Sequence, residues 1–465
     1  KCIEVAKYTG FSEILDGRVK TLHPKIHAGI LNKRNKKSHI QDLKKNNFKN
    51  IDLVIVNFYP FEETLKKTLN HKKIIENIDI GGPSMARSAA KNYNDVTVIT
   101  STDQYDELIN ELKKNKGKTS LKFRKKMSQH AFMETAYYDT SISNYFNEIN
   151  QIQFPKKKII HGNLINKFRY GENPHQTGSI YSKNKDLGIK QLNGKDLSYN
   201  NYNDIFSALT ISKTFPKNIG TVIIKHSTPS GASILKKNIE SYKAALACDP
   251  ISAFGGIVSC NFKINKELAT ELSKIFLEVI IGIGFDKDAL KIFKKKRNLR
   301  LIDASDFKLN DYVKFNSFNG LIMAQSEDKE IFKKKNFKIV SKKKPSKSQF
   351  EDLLFAFNIC RFVKSNSIVL VRNKSTIGIG SGQPSRLDSC EIAINKMKKF
   401  SKSNQKIAAA SDAFFPFVDG VEKIIQSGVT SIIQPSGSIR DKDIIKFTNE
   451  TNTVLVFSKT RHFRH

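Results

Sequence analysis

Residues 95–116 read DVTVITSTDQYDELINELKKNK, and the way this stretch divides decides the fold. Through Thr100 the residues are mostly apolar or β-branched, the pattern of a buried strand. At Ser101 a Ser/Thr/Asp group suited to a helix cap begins, and Leu108, Ile109 and Leu112 then recur at helical spacing. A strand feeding a capped helix is the unit of α/β layers. IDLVIVNFYPF (51–61) reads as a second buried strand, and further strand-like runs stand at 220–224, 366–371, 375–379, 407–411, 430–433 and 453–457. Between the two groups, QIQFPKKKIIHGN (151–163) loses its periodicity in a basic stretch containing Pro and Gly. This places a domain boundary there, with an α/β domain at residues 1–156 and a larger α/β domain at residues 157–465. No repeat of short period is evident.

A chain of 465 residues is too long for one compact core, in keeping with more than one domain. Hydrophobic residues make up 39% and are broken by charge every few positions, with no run approaching the roughly 20 apolar residues of a membrane span. A soluble protein with no membrane partner is expected. The five cysteines are scattered and never form a CxxC pair, which argues against a disulfide framework or structural zinc and for a reducing, cytoplasmic location. The chain opens KCIEVAKYTG without an initiating Met, as a fragment or a processed form would. A net charge of +35 raises the question of nucleic acid. Against it, Lys far outnumbers Arg and Lys, Asn and Ile are enriched throughout, as drift toward AT-rich codons would produce. The densest stretches, KIFKKKRNLR (291–300) and FKKKNFKIVSKKKPSK (332–347), lack interleaved stacking aromatics and read as solvated surface, so no specific nucleic-acid partner is expected.

Two segments of the first half suit a phosphorylated ligand. LDGRVKTLHPKIHAGIL (15–31) gathers Arg18, Lys20, His23, Lys25 and His27 around Thr21 and a turn-fixing Pro24. Such a loop converges on an anion or is simply a solvated basic loop. NIDIGGPSMARSAAKN (77–92) is sharper: a strand ends at Asp79, Gly81 and Gly82 form a turn, and Pro83 opens an Ala/Ser-rich helix. Free N–H groups at that helix start would hold a phosphate or an oxyanion, with Lys91 two turns on reaching the same cleft.

In the second half, VIIKHSTPSGA (222–232) ends an apolar strand in Lys225 and His226, followed by a loop of Ser, Thr, Pro and Gly. The pair is either the polar edge of a buried strand or two titratable groups placed for chemistry. Other informative stretches are FRYGENPHQ (168–176), LSYNNYND (197–204), DPISAFGGI (249–257), VKSNSIVLVRNKSTIGIGSGQPSR (363–386), SDAFFPFVDG (411–420), QPSGSIRD (434–441) and RHFRH (461–465). Taken singly most are weak, since GIGSG fits any tight turn and FFPF fits a core as well as a ligand platform.

Together, from TGFSEILDGRVKTLHP through IENIDIGGPSM, RYGENPHQ, SAFGGI, VKSN and SDAFFPF to RHFRH, these motifs cover essentially the whole chain in order. The sequence resembles the bifunctional purine-synthesis family that joins phosphoribosylaminoimidazolecarboxamide formyltransferase to IMP cyclohydrolase. The resemblance implies an N-terminal methylglyoxal-synthase-like domain that closes the inosinate ring. It further implies a C-terminal formyltransferase half of two cytidine-deaminase-like α/β/α subdomains, 10-formyltetrahydrofolate as the formyl donor, and a site at a homodimer interface. It makes His226 the base that takes the proton of the weakly nucleophilic aromatic amine. Lys225 would keep that imidazole neutral and steady the oxyanion of the tetrahedral intermediate.

By position, Arg169, Tyr170 and His175 resemble the nucleotide-binding loop, and Asn366 resembles the amide that orients the formyl group and the folate. Ser385 and Arg386 resemble nucleotide and folate contacts, Phe414 and Asp419 the lining of the pterin pocket, and Arg461 a phosphate ligand. For ring closure the resemblance selects Lys20, Tyr59, Asp79 and Lys91, with Arg18, Thr21, Gly81 and Gly82 as binding residues.

Three departures stand out. KHSTPSG replaces the commoner KHANPCG or KHVSPAG, so Thr228 and Ser230 alter the loop beside the base. EVIIGI (278–283) lacks the proline of EVIIAP. Nothing corresponds to the family's first strand and phosphate loop, so the chain is expected to transfer formyl groups but close the ring poorly. The HxE…PCxxC zinc signature is absent, so no metal is expected. Readings from other classes are a basic RNA-binding scaffold, or a regulatory methylglyoxal-synthase-like module fused to a decayed domain.

Overall fold

The computed structural model describes residues 2–465 apart from 185, 310–312, 331, 333 and 402–405; Lys333 of the second basic stretch therefore lies outside the described residues. The chain divides into two compact units, Lys1–Asn163 and Leu164–His465.

In the first unit, β1 (Leu53–Ile55) pairs in parallel with β2 (Thr97–Ile99), Val54 opposite Val98. The helices that matter below are α1 (Pro24–Leu31), α2 (Gly81–Lys91) and α3 (Leu121–Ile149). Their core joins Ile26 and Ile30 of α1, Ala86, Ala89 and Ala90 of α2, Val98 of β2, and Met127 and Ala131 of α3. The strand expected over 51–61 is only three residues long, with Leu53 and Ile55 37% and 50% exposed. Pro60, which has no N–H to give a ladder, stands instead at the N-cap of a helix over Phe61–Lys67. The helix read from Ser101 is present, its first turn tightened into a 3₁₀ turn by a capping box between Ser101 and Gln104.

The second unit is built from the same series of elements laid down twice. The first copy runs β3 (Lys190–Asn193), α4 (Tyr199–Ser212), β4 (Thr221–Lys225), β5 (Thr228–Ser233), α5 (Asn238–Cys248), β6 (Ile257–Cys260), α6 (Lys266–Leu272), β7 (Val279–Gly282), α7 (Lys287–Lys294) and β8 (Arg300–Asp303). The second runs β9 (Phe337–Ile339), α8 (Lys347–Cys360), β10 (Ile368–Arg372), β11 (Ser375–Gly380), α9 (Arg386–Phe400), β12 (Ile407–Ser411), α10 (Val418–Gln426), β13 (Val429–Pro435), α11 (Asp441–Glu450) and β14 (Val454–Ser458). The strands form one sheet in the order β9-β14-β13-β12-β10-β11-β5-β4-β6-β7-β8-β3. Its centre is the antiparallel contact of β5 with β11 at Ser233 and Ser375, and each copy continues outward from it in the same order. Buried aliphatic strands fill both faces, with Ile224, Val279, Val369 and Ala410 in the larger core cluster.

One reading of this half changes, and the strand-like run read at 375–379 extends to Gly380. The Ser/Thr/Pro/Gly stretch after His226 is strand β5, and GIG of GIGSG lies in strand β11. In both, small residues serve helix packing: a Cβ on Gly231 would stand 1.9 Å from the Ala245 carbonyl oxygen of α5, and one on Gly380 1.9 Å from that of Ser389 in α9. Pro229 is tolerated because the β4–β5 register shifts at Ile223/Ile224. Gly231→Ala and Gly380→Ala should each lower stability by about 1–3 kcal/mol through overpacking. Urea denaturation reads this, and an unshifted midpoint would refute the close helix approach.

Candidate active sites

Following chain direction through the ladders explains why scattered motifs belong together. β4 is antiparallel to β5 and β6, β5 to β11, and β10 to β11 and β12, while β7 follows β6 and β13 and β14 follow β12 in parallel. The ends of β4, β11, β12, β13 and β14 therefore lie on the same edge as the starts of β5, β6, β7 and β10. That edge collects His226, the SAFGG turn before β6, VKSN before β10, SGQPSR after β11, DAFFPF after β12, SGSIRD after β13 and RHFRH after β14.

His226 and Ser227 form the two-residue turn between β4 and β5, with φ of 53° and 58°. Successive left-handed residues are what a tight hairpin needs, and His tolerates that region better than most side chains. His226 is exposed and Lys225 half-buried. The pair does not act as one unit: Lys225 Nζ donates to the Phe254 carbonyl oxygen at 2.9 Å, beside Gly255 of SAFGGI. The turn is gripped from α4, where Asp204 Oδ1 accepts from Ser227 N–H at 2.6 Å and from its hydroxyl at 3.2 Å. FRYGENPHQ is a loop next to the start of α4, since Asn200 Nδ2 donates to the Glu172 carbonyl at 3.2 Å. In it Arg169 and His175 are exposed and Tyr170 half-buried.

On the second copy's side, Asn366 Nδ2 donates to the carbonyls of Gln383 (3.0 Å) and Pro384 (2.8 Å), and its Oδ1 accepts from Arg386 at 2.8 Å. Arg386 is only 8% exposed. Its guanidinium also pairs with the fully buried Asp412 and donates to Ser411 Oγ at 2.7 Å. Ser385 caps α9 by accepting from Leu387 and Asp388 N–H. The residues read as ligand contacts, Ser385 and Arg386, are thus committed to the protein's own structure. Asp412 also accepts from Ser365 Oγ at 2.5 Å, and its backbone carbonyl accepts from His462 N–H at 2.9 Å. Phe414 is half-buried and Asp419 exposed in the first turn of α10. Arg461 is exposed with its guanidinium 4.6 Å from the Phe463 ring centroid. Burial pushes the Cys248, Cys260 and Cys390 thiols up to about 12, which removes them as nucleophiles. Among the described residues no group of three His, Cys, Asp or Glu is placed to hold a metal ion.

In the first unit a second cluster forms at the start of α2, differently from the expectation. The Asp79 carboxylate accepts from Gly82 N–H at 2.8 Å and from Tyr59 N–H at 3.3 Å, so the helix N–H expected to be free is taken by a side chain. The helix begins at Gly81, which puts Pro83, with no N–H, inside the first turn. Thr21 packs so closely that a Cβ on Gly81 would stand 2.4 Å from its hydroxyl. Lys20 pairs with Glu13 at 2.9 Å, and Arg18 pairs with Glu76. Those carboxylates hold both cations above their ordinary pKa, but exposed pairs are weak and exchange readily for another anion. Lys91 does not reach this cluster: it ends α2, and ten residues at 1.5 Å rise put it roughly 15 Å along the axis. Sequence reasoning missed Tyr138 of α3, whose hydroxyl accepts from Asp79 N–H at 2.9 Å and donates to the Asn77 carbonyl. It also missed Asp204 and Asp412. For Asp204 a signal existed, since Ser198, Asn201 and Asp204 keep the spacing of Ser346, Gln349 and Asp352.

Residues 89–396 match the family described as AICARFT/IMPCHase bienzyme, and residues 1–84 match the MGS-like domain. Proteins named bifunctional purine biosynthesis protein PurH are similar throughout. That of Bradyrhizobium diazoefficiens is 42% identical over 480 aligned residues, covering 100% of this chain and 91% of its own length. That of Persephonella marina is 43% identical over 472, covering 99% and 91%. That of Aquifex aeolicus is 42% identical over 467, covering 99% and 91%.

Removing one partner of a buried ion pair strands the other charge, so Asp412→Ala should cost about 3–5 kcal/mol. Asp412→Leu with Arg386→Met should regain most of it. Urea midpoints decide this, and an Asp412→Ala midpoint equal to the unsubstituted protein's would show the pair to be idle.

Proposed function

The chain belongs to the AICARFT/IMPCHase bienzyme family, and from that premise we propose how its residues divide the chemistry. It is an enzyme of de novo purine biosynthesis. It transfers a formyl group from 10-formyltetrahydrofolate to 5-aminoimidazole-4-carboxamide ribonucleotide, and it closes the formylated product to IMP with loss of water.

The observation that carries the assignment of the base is His226, exposed at the tip of a gripped turn on the edge where the other motifs gather. The substrate amine attacks the formyl carbon as the imidazole takes its proton, and the tetrahedral intermediate expels the folate nitrogen, which is protonated as it leaves. Lys225 keeps two of its three ammonium N–H groups for the oxyanion, the third being on Phe254. Asn366 presents the remaining lone pair of its Oδ1, and Arg386 orients it. Phe414 offers a ring face and Asp419 an acceptor, a pairing that suits a pterin. Arg169, Tyr170, His175 and Arg461 surround the nucleotide, the arginines on its phosphate.

For ring closure, the carboxamide nitrogen attacks the formamide carbon and water departs. Lys20, Arg18 and Thr21 bind the anionic end, Tyr59 donates a proton to the departing oxygen, and Asp79 takes the proton that the attacking nitrogen gives up. Asp79, held between Gly82 and Tyr59, fixes the geometry. Lys91 meets only a ligand that extends along α2.

The transferase site is completed by a second copy of the chain. Three strand spacings of about 4.8 Å, roughly 14 Å, separate the β4 and β10 ends that carry His226 and Asn366. Both groups must stand within hydrogen-bond reach of one reacting centre. An apolar hairpin over residues 313–326, with Leu321, Ile322 and Met323 more than half exposed, borders a cleft of 2320 Å³ lined by Phe168, Tyr202 and Phe206. It suits a dimer contact. A cytosolic location accords with five free cysteines.

Mixing the purified protein with both substrates and following tetrahydrofolate release tests the reading. His226→Ala should lower that rate by ~10²–10⁴ with nucleotide binding little changed, and near-normal turnover would sink the assignment. Equilibrium sedimentation at micromolar concentration should give a dimer, and a fully active monomer would disprove the shared site.

A further inference from the structure

The duplicated half contains the same hairpin twice, and comparing the two isolates one device. In the second copy the turn between β10 and β11 is Asn373–Lys374, with φ of 48° and 57°, matching His226–Ser227 at 53° and 58°. Each turn is held by an aspartate on the helix before it, six residues beyond a capping-box serine. Asp204 follows Ser198 of α4, and Asp352 follows Ser346 of α8. Asp352 accepts from both turn N–H groups, Asn373 at 2.9 Å and Lys374 at 2.7 Å. Asp204 spends one oxygen on Ser227 alone, taking its N–H at 2.6 Å and its hydroxyl at 3.2 Å.

The second turn joins the end of β10 to the start of β11, on the edge of the sheet opposite the gathered motifs, so the shared grip serves the shape of the hairpin. In the first copy that shape aims a histidine. Two adjacent left-handed residues, neither of them glycine, need something to hold them there. A carboxylate accepting two hydrogen bonds from one residue supplies it. We propose that Asp204 is a positioning residue for formyl transfer, acting on the reaction only by fixing the His226–Ser227 turn that aims the imidazole. Asp352 is its matched structural counterpart without a catalytic task.

This rests on His226 being the base, so the test includes His226→Ala. Formyl transfer is followed as tetrahydrofolate release in the full chain, with urea midpoints for every variant. Asp204→Ala should lower kcat about 10–100-fold with KM for the nucleotide within about twofold, while Asp352→Ala lowers the midpoint but leaves kcat within about twofold. Glycine adopts positive φ freely. Ser227→Gly in the Asp204→Ala background should therefore restore kcat to within about fivefold of the unsubstituted protein. In a His226→Ala background, Asp204→Ala should cause no further loss. If His226→Ala is slow while Asp204→Ala turns over normally, the positioning role is refuted and the base assignment stands. If Asp204→Ala is slow but glycine does not rescue it, or it still slows His226→Ala, Asp204 acts otherwise than through the turn. Should Asp204→Ala fail to fold, Asp204→Asn keeps an acceptor for the Ser227 N–H. It must then retain more than about a third of kcat, or the proposal falls.

Discussion

The second unit depends on one antiparallel contact at the middle of its sheet. Ser233 of β5 pairs with Ser375 of β11, their hydroxyls 2.9 Å apart, and Thr376 Oγ1 donates to the Ala232 carbonyl and accepts from its N–H. All four residues are buried. The contact fuses two copies of one fold into a continuous twelve-stranded sheet. Because it is antiparallel it relates the copies by an approximate two-fold, so β4 and β10 run in opposite directions. For that reason the end of β4 and the start of β10 share an edge. The contact also sets the starts of β6 and β7 in one copy on the same edge as the ends of β12 and β13 in the other.

What the sequence discloses about this arrangement follows from what kind of signal each element needs. β4, β10, β12, β13 and β14 are legible because each is a run of buried aliphatics long enough to stand out. β6 and β7 are four residues each and blend into their neighbours. β5 is written in Thr, Pro, Ser and Gly, residues that announce a turn, because helix α5 crosses it too closely for side chains at Gly231. In the first unit the short β1 shows the opposite error: an apolar run that local chemistry at Pro60 cuts off.

The chemistry-bearing loops were legible as motifs, whereas the residues that hold them were not. His226 and Asn366 are conspicuous because polar groups end apolar runs. Asp204 and Asp412 act through contacts distant in sequence, with Ser227 and with Arg386 and Ser365, and nothing near them marks those partners. Asp79 is the intermediate case. Its place before Gly81 and Gly82 marked a phosphate cradle, but a carboxylate three residues ahead of a helix N–H is also a cap, and here it caps. Arg18 and Lys20 remain on the surface, each paired with an exposed carboxylate.

The two copies differ in where their polar groups are spent. The second spends its polar groups inward: Arg386, Asp412, Ser411 and Ser365 satisfy one another and fix the Asn366 amide on three sides. A group whose hydrogen bonds are made within the protein keeps its orientation when a ligand arrives. The first copy leaves His226 exposed, on a turn held from Asp204 through the neighbouring Ser227. The buried network thus lies in one repeat and the exposed imidazole in the other, on a turn whose side-chain support is the single carboxylate of Asp204.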